Sequence, residues 1–226
     1  MDFKPYLLMV VILLVTGCRE KQHPRQTDHN ISNIHMNKNP FGKLVNAFED
    51  PDRASWQKPD EVIALLGDIQ DKKIMDIGAG TGYFSFRMAD KGARVIAADV
   101  DERFLEYIEE KKKQTGTTPL VTRKVPYDDP ELKEQEADAV IIVNTYHHIE
   151  DRVPYFRKVR NGLVPDGKLM VVDYKKEETP HGPPLEHRMK ADEVIKELEA
   201  AGFTISVCNI TLLEYQYIIM AKKSEE

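Results

Sequence analysis

Three groups of residues in this chain have types and spacings that could do chemistry. The first is a run of glycines, Gly78, Gly80 and Gly82, in Lys73-Ile-Met-Asp76-Ile-Gly-Ala-Gly-Thr-Gly-Tyr83. Closely spaced glycines let a backbone approach a ligand, and a helix starting behind them offers unpaired N–H groups. The second is Asp99, 21 residues after Gly78, the spacing at which a carboxylate reaches ribose hydroxyls in α/β nucleotide sites. A carboxylate suits that role because it accepts both hydrogen bonds of a vicinal diol. The third is Asn144-Thr145-Tyr146-His147-His148, where a neutral imidazole is available as a base near pH 7. The glycine run excludes two phosphate sites. A dinucleotide fingerprint needs a small residue where Tyr83 stands, and a P-loop needs a lysine that does not follow.

These groups need elements to hold them. Lys73 to Ile77, Arg94 to Asp99, Leu120 to Val125, Ala139 to Asn144 and Lys168 to Tyr174 read as strands. Val140-Ile-Ile-Val143 is apolar without alternation, as expected of a parallel strand covered on both faces. Helices are predicted from Pro59 to Leu66, from Tyr83 to Lys91 with Gly92 as the stop, from Glu102 to about Gln114, around Val153 to Leu163, and from Lys190 to Ala201 with Gly202 as the stop. Val164-Pro-Asp-Gly167 reads as a turn. Phe203 to Ile210 and Tyr215 to Ala221 are strands joined too tightly for a parallel crossover, so they pair antiparallel. The fold class is α/β: a three-layer sandwich on a mostly parallel seven-stranded sheet with an antiparallel C-terminal strand. Such sheets bind ligands beyond the carboxyl ends of their strands.

With the glycine run between a strand and a helix, the sequence resembles the class I S-adenosylmethionine-dependent methyltransferases, over roughly Phe48 to Lys222. Asp76-Ile-Gly78-Ala-Gly80-Thr-Gly82 looks like their first motif. The resemblance implies a Rossmann-like fold, S-adenosyl-L-methionine as cofactor, and a glycine loop packed under its homocysteine and ribose portions. It implies that Asp76 helps hold the amino-acid end and that Asp99 binds the ribose. It also implies that an acid in Val125-Pro-Tyr-Asp128-Asp129-Pro, either Asp128 or Asp129, contacts adenine. Asn144 to His148 then lies nearest the transferable methyl. No Pro-Pro-Tyr follows Asn144, so methylation of nucleobase or protein amines is not implied. The group resembled is the small-molecule methyltransferases with a histidine in this segment, and Arg160 to Gly167 resembles the turn before their fifth strand. The partner implied is a small-molecule methyl acceptor; the competing expectation is a module that binds the cofactor without catalysis.

Each candidate also has a plain alternative. His147 or His148 is a base or acceptor contact, or packs within its loop. Tyr146 is a pocket wall rather than a catalyst. His187 and Arg188 are acceptor contacts, or belong to a solvated loop after the fifth strand. Asp99 could be a strand-end residue, with Asp101 capping the next helix. The segment from Phe41 to Trp56 resembles a lid over the cofactor; the plain reading of Trp56 is a core anchor. Cys208 reads as a buried apolar filler. No histidine pair sits at metal-ligand helical spacing, so no metal is expected.

Net charge is −6 with pI near 5.7, against the basic surface nucleic-acid binding requires. Two cysteines exclude a disulfide framework. Leu7 to Val15 is unbroken apolar sequence ending at Thr16-Gly17-Cys18, too short to span a ~30 Å hydrocarbon core and matched to a signal-peptide core. Val15-Thr-Gly-Cys18 resembles the bacterial lipobox. The expectation is a signal peptide over residues 1–17, a lipidated flexible tether over 18–39 anchored at Cys18, and a methyltransferase domain over 40–226. The protein is then a membrane-tethered lipoprotein on the periplasmic or outer side. An uncleaved anchor with the domain on the cytoplasmic face is the alternative, favoured by Arg19, Lys21 and Arg25 after the apolar run.

Overall fold

The computed structural model describes Met1 and residues 31–224. The expected signal peptide and Cys18 lie outside the described residues. Among the described residues no helix is long and apolar enough to cross a membrane.

Seven strands form one sheet: β1 (Lys73–Ile77), β2 (Arg94–Asp99), β3 (Leu120–Lys124), β4 (Ala137–Val143), β5 (Leu163–Tyr174), β6 (Phe203–Asn209) and β7 (Gln216–Lys223). Their order is β3-β2-β1-β4-β5-β7-β6. The first five are parallel, and β7 runs antiparallel to both β5 and β6. This is the expected α/β three-layer sandwich. The chain winds from β1 outward to β3, then returns to place β4 on the other side of β1. Adjacent β1 and β4 therefore feed connections in opposite directions, and a crevice opens beyond their carboxyl ends.

Two apolar layers hold the sheet. Ile74, Val95, Ile141, Val172 and Ile218 face one way, against Val62 and Ile63 of α4 (Pro59–Ala64), Phe84 and Met88 of α5 (Tyr83–Asp90), and Ile108 of α6 (Glu102–Thr115). Met75, Ile96, Ile142, Val171 and Ile219 face the other way, against Phe156 and Val159 of α7 (Arg152–Gly162) and Val194 and Leu198 of α8 (Ala191–Ala200). This period-two split follows from alternating side chains on each strand. Asp101 caps α6, accepting the Arg103 backbone N–H at 3.0 Å. Pro59 opens α4 with Asp60 and Glu61 behind it, as predicted.

Three features differ from the sequence expectation. Residues 31–38, placed in the tether, form α1 (Ile31–Lys38). It is held by polar contacts that hydropathy does not register: the Asn33 amide donates to the His148 carbonyl at 3.0 Å. Val164–Gly167 is not a separate turn but part of β5. Ala137 pairs with Leu163 and Ala139 with Lys168, so the extra residues leave the ladder as a bulge. Cys208 is exposed, because β6 is the sheet edge and turns most of its side chains to solvent.

The sheet core includes a carboxylate. Asp76 on β1 is buried and accepts the Ser85 hydroxyl of α5 at 2.6 Å. Burial pushes its pKa up to about 6, against the lowering effect of that bond. A folded-state pKa above the unfolded value means that stability is lost as pH rises from about 4 to above 6. Asp76→Asn removes that dependence while keeping an acceptor for Ser85. Urea unfolding of the variant and the parent should give a stability difference that moves in the variant's favour by ~2–3 kcal/mol between pH 4 and pH 7.5. An unchanged difference would show that Asp76 does not titrate in this range.

Candidate functional site

The crevice between β1 and β4 is floored by one close contact. A Cβ on Gly78 would lie 2.3 Å from Thr145 Oγ1, and Gly78 has φ +72°. Only glycine lets the turn after β1 pass under the turn after β4. The Gly78 and Ala79 N–H groups are tied to the Ala98 carbonyl of β2 at 2.8 and 3.0 Å. Above this floor lies a cavity of about 570 Å³. Gly78, Gly80, Asp99, Asn144, His147, His148 and His187 all line it.

Asp99 stands at one end. Its Oδ2 accepts the Gly80 N–H and its Oδ1 the Asp101 N–H, both at 2.9 Å. Burial raises its pKa to about 6, partly offset by those two bonds. Phe104 and Phe48 stack beside it with ring centroids 5.5 Å apart, and both line the cavity. Phe48 belongs to α2 (Phe41–Phe48) and lies 3.2 Å from where a Gly80 Cβ would stand. From the β3 loop it is Val125, Pro126 and Tyr127 that line the cavity. Asp128 and Asp129 do not; Asp129 pairs at 2.8 Å with Lys158 of α7. The loop turns Asp129 toward α7, leaves Asp128 exposed, and turns its apolar start toward the crevice.

Midway along the cavity, Thr81 carries a buried hydroxyl with no hydrogen-bond partner. Arg53, on α3 (Arg53–Gln57), lines the cavity with its guanidinium 4.0 Å from the Tyr83 ring centroid. Arg53 donates to the Phe48 carbonyl at 2.7 Å and to Gln57 Oε1 at 2.5 Å. Gln57 donates to Gln216 at 3.0 Å, and Gln216 donates to Asn144. Burial lowers the Arg53 pKa from the usual arginine range. Asp76 and Gly82 do not line the cavity: Asp76 lies beneath the loop on Ser85, and Gly82 is the left-handed residue that starts α5.

Near Asn144, a single helical turn (Tyr146–His148) separates the two histidines by their partners. His147 Nδ1 donates to the Asp173 carboxylate at 2.9 and 3.0 Å, and the His147 backbone N–H also points to Asp173 at 3.3 Å. Both side chains are buried. Asp173, near the end of β5, is the functional candidate the sequence reading missed; a lone acid in Leu169-Met-Val-Val-Asp-Tyr174 was its only signal. His148 Nδ1 instead pairs with Asn33 Oδ1 of α1 at 2.9 Å.

Two expected contacts lie elsewhere. Tyr146 is wholly buried beneath the turn, with its hydroxyl donating to Glu197 at 2.7 Å. Burial and then that bond push its pKa far up, so it is neither wall nor base. Arg188 is also buried. Its guanidinium donates to the Pro183, Glu177 and His181 carbonyls at 2.8, 2.6 and 3.1 Å and to the Thr179 hydroxyl at 2.7 Å. It fastens the loop after β5 from inside, and the loop's lining residues are His181, Gly182, Pro183 and His187. Among the described residues no group of three potential ligands could hold a metal ion.

An orphan hydroxyl, a guanidinium, a glycine floor and a buried carboxylate in this sequence along one crevice fit a molecule with an amino-acid end and a ribosyl end, as S-adenosylmethionine has. Comparison with known proteins agrees. Residues 75–171 match a family model described as a methyltransferase domain. A tRNA U34 carboxymethyltransferase of Cellvibrio japonicus is 31% identical over 53% of this chain and 37% of its own length. An uncharacterized methyltransferase of Mycobacterium tuberculosis is 29% identical over 58% of this chain and 51% of its own. The aligned part of the chain thus spans about half or less of these relatives. A SAM-dependent methyltransferase from Aquifex aeolicus has the same fold, with TM-score 0.75 and 24% identity over 81% of this chain and 98% of that one. So does phosphoethanolamine N-methyltransferase 2 of Haemonchus contortus, solved with S-adenosyl-L-methionine, at TM-score 0.65 and 14% identity over 75% of this chain and 53% of that one. From first motif through strand order to matched segment, the chain is similar to the class I S-adenosylmethionine-dependent methyltransferases and shares their fold.

Proposed function

We propose that this protein transfers a methyl group from S-adenosylmethionine to a small molecule whose accepting atom carries an ionisable proton. The observation that carries the reading is the buried His147–Asp173 pair beside the glycine floor. Methyl transfer needs orientation and exclusion of water, and a base only when the acceptor must lose a proton as it attacks. With Asp173 accepting from Nδ1, the imidazole lone pair lies on Nε2, and Asp173 stabilises the imidazolium once the proton arrives. Asp99 would hold the ribose hydroxyls, with Phe48, Phe104 and Tyr127 around the adenine. Arg53 and Thr81 would hold the amino-acid end. The cofactor, when bound, supplies an electrophilic methyl on sulfonium sulfur. A non-catalytic binding module would keep the Asp99 end but have no use for a buried base pair. The tRNA enzyme among the relatives raises a nucleic-acid acceptor, against which stands the net charge of −6.

Asp99→Ala should weaken binding of S-adenosylhomocysteine by ~10–100-fold in calorimetry, the scale of hydrogen bonds to a charged group. Because its carboxyl takes up a proton near pH 6, parent affinity should fall as pH drops from 7 to 5, and this fall should be absent in the variant. Equal slopes would move the ribose role to another residue. His147→Ala and Asp173→Asn should each lower turnover by ~10²-fold or more while leaving S-adenosylhomocysteine affinity within about twofold. The acceptor is found by incubating the protein with labelled cofactor and fractionated cell extract, including a tRNA fraction. Label in tRNA alone would reverse the small-molecule reading.

We also propose that the domain is tethered by lipid at Cys18, outside the cytoplasmic membrane, on the strength of Val15-Thr-Gly-Cys18 after a short apolar run. Mass spectrometry of the native N-terminus should find a diacylglyceryl-modified Cys18. An intact Met1 would support the uncleaved anchor on the cytoplasmic face.

A further inference from the structure

The end of the cavity away from Asp99 carries an aromatic cluster that the proposed cofactor contacts and base leave unused. Trp56 of α3 and His181 of the loop after β5 stack face to face, with centroids 5.0 Å apart and planes 11° from parallel. Tyr174, the last residue of β5, meets Trp56 at 6.2 Å. Tyr215 braces both from behind, at 6.0 Å from Trp56 and 5.7 Å from His181. Trp56, Tyr174 and His181 line the cavity, whereas Tyr215 does not. They form one wall, in which Tyr174 is buried, Trp56 half-buried and His181 exposed.

This wall adjoins the base pair through the chain itself. Asp173, which orients His147, is the residue before Tyr174 and accepts the Tyr174 backbone N–H at 2.8 Å. The charge around the wall selects among ligands that aromatic rings attract. The acids that line the cavity are Asp99 and Asp101 near its other end and Asp50 before α3, while β5 and the loop after it contribute none to balance a cation on the rings. The Arg188 guanidinium already lies 5.2 Å from the Tyr174 centroid, and Arg53 of α3 is a second buried cation. A neutral planar ring whose oxygen becomes negative as it reacts meets no such penalty.

On the methyltransferase reading above, we propose that this wall is the acceptor subsite and that the acceptor is a planar aromatic hydroxyl compound. Its ring packs on Trp56, His181 and Tyr174, and its hydroxyl points to His147. The hydroxyl oxygen forms the new bond to the methyl carbon. Its proton passes to Nε2 of His147, and the electron pair of the broken carbon–sulfur bond leaves on sulfur as a neutral thioether.

Trp56 is the chain's sole tryptophan, so the wall reports its own occupancy. Full-length protein is first saturated with S-adenosylhomocysteine, monitored by calorimetry. Trp56 emission is then followed during titration with phenol, catechol, their saturated counterparts cyclohexanol and cyclohexanediol, and choline. Phenol or catechol should perturb the emission saturably and bind roughly 2–10-fold tighter than its saturated counterpart, the worth of an aromatic pair. His181→Ala should remove that preference with S-adenosylhomocysteine affinity kept within about twofold. Equal binding of aromatic and saturated compounds, or saturable binding of choline alone, would overturn the proposal. Failure of S-adenosylhomocysteine to bind at the first step would instead strike the methyltransferase reading on which it rests.

Discussion

Gly78 and Thr145 approach so closely that the two cannot be moved apart or filled in without remaking the crevice. The contact joins the turns after β1 and β4, the adjacent strands at which the sheet reverses its winding. On the β1 side it sets the height of Gly80, whose N–H holds Asp99. On the β4 side it sets where the next turn begins, and so where His147 meets Asp173. The carboxylate at one end and the imidazole at the other are thus placed by backbone, not by flexible side chains. A reaction governed by alignment gains from that rigidity.

The same arrangement has an electrostatic cost. Asp76 and Asp99 are both buried, and burial lifts both toward neutral pH. Arg53 is buried as well, and its pKa is lowered. Charges so placed are poorly solvated, and a ligand that brings hydroxyls to Asp99 and a carboxylate to Arg53 offsets part of that cost. The orphan Thr81 hydroxyl fits the same account, since buried polar groups without partners are uncommon in finished structures.

Much of this was legible in the residues. Glycine spacing, the carboxylate 21 positions on and unbroken apolar strands gave the sheet, its crevice and the Asp99 end. Side-chain direction in loops was not legible, because it is decided by long-range packing. Asp129 turns away because Lys158 is there to receive it, and Asp128 lies exposed outside the cavity. Tyr146 points down because Glu197, on a helix 51 positions later, takes its hydroxyl. Arg188 reads as an exposed loop cation until the carbonyls around it are seen. Asp173 lies 26 positions from His147, with no local pattern linking them. What singles it out in the sequence is an acid placed in an apolar strand.

The N-terminal cover makes the two ends of the cavity one structure. Phe48 presses on the glycine loop beside Phe104, while Trp56, eight positions later, closes on His181 at the opposite end. Arg53 lies between them, and Gln57 and Gln216 carry its hydrogen bonds through to Asn144 at the tip of β4. Buried polar chains of this kind hold only when every member is satisfied. A shift of α3 therefore breaks Arg53 from the Phe48 carbonyl, Trp56 from His181, and Asn144 from Gln216 together. The cofactor end and the aromatic end are consequently not independent pockets. Whatever displaces Arg53 therefore also disturbs the stacked rings at the far end of the cavity.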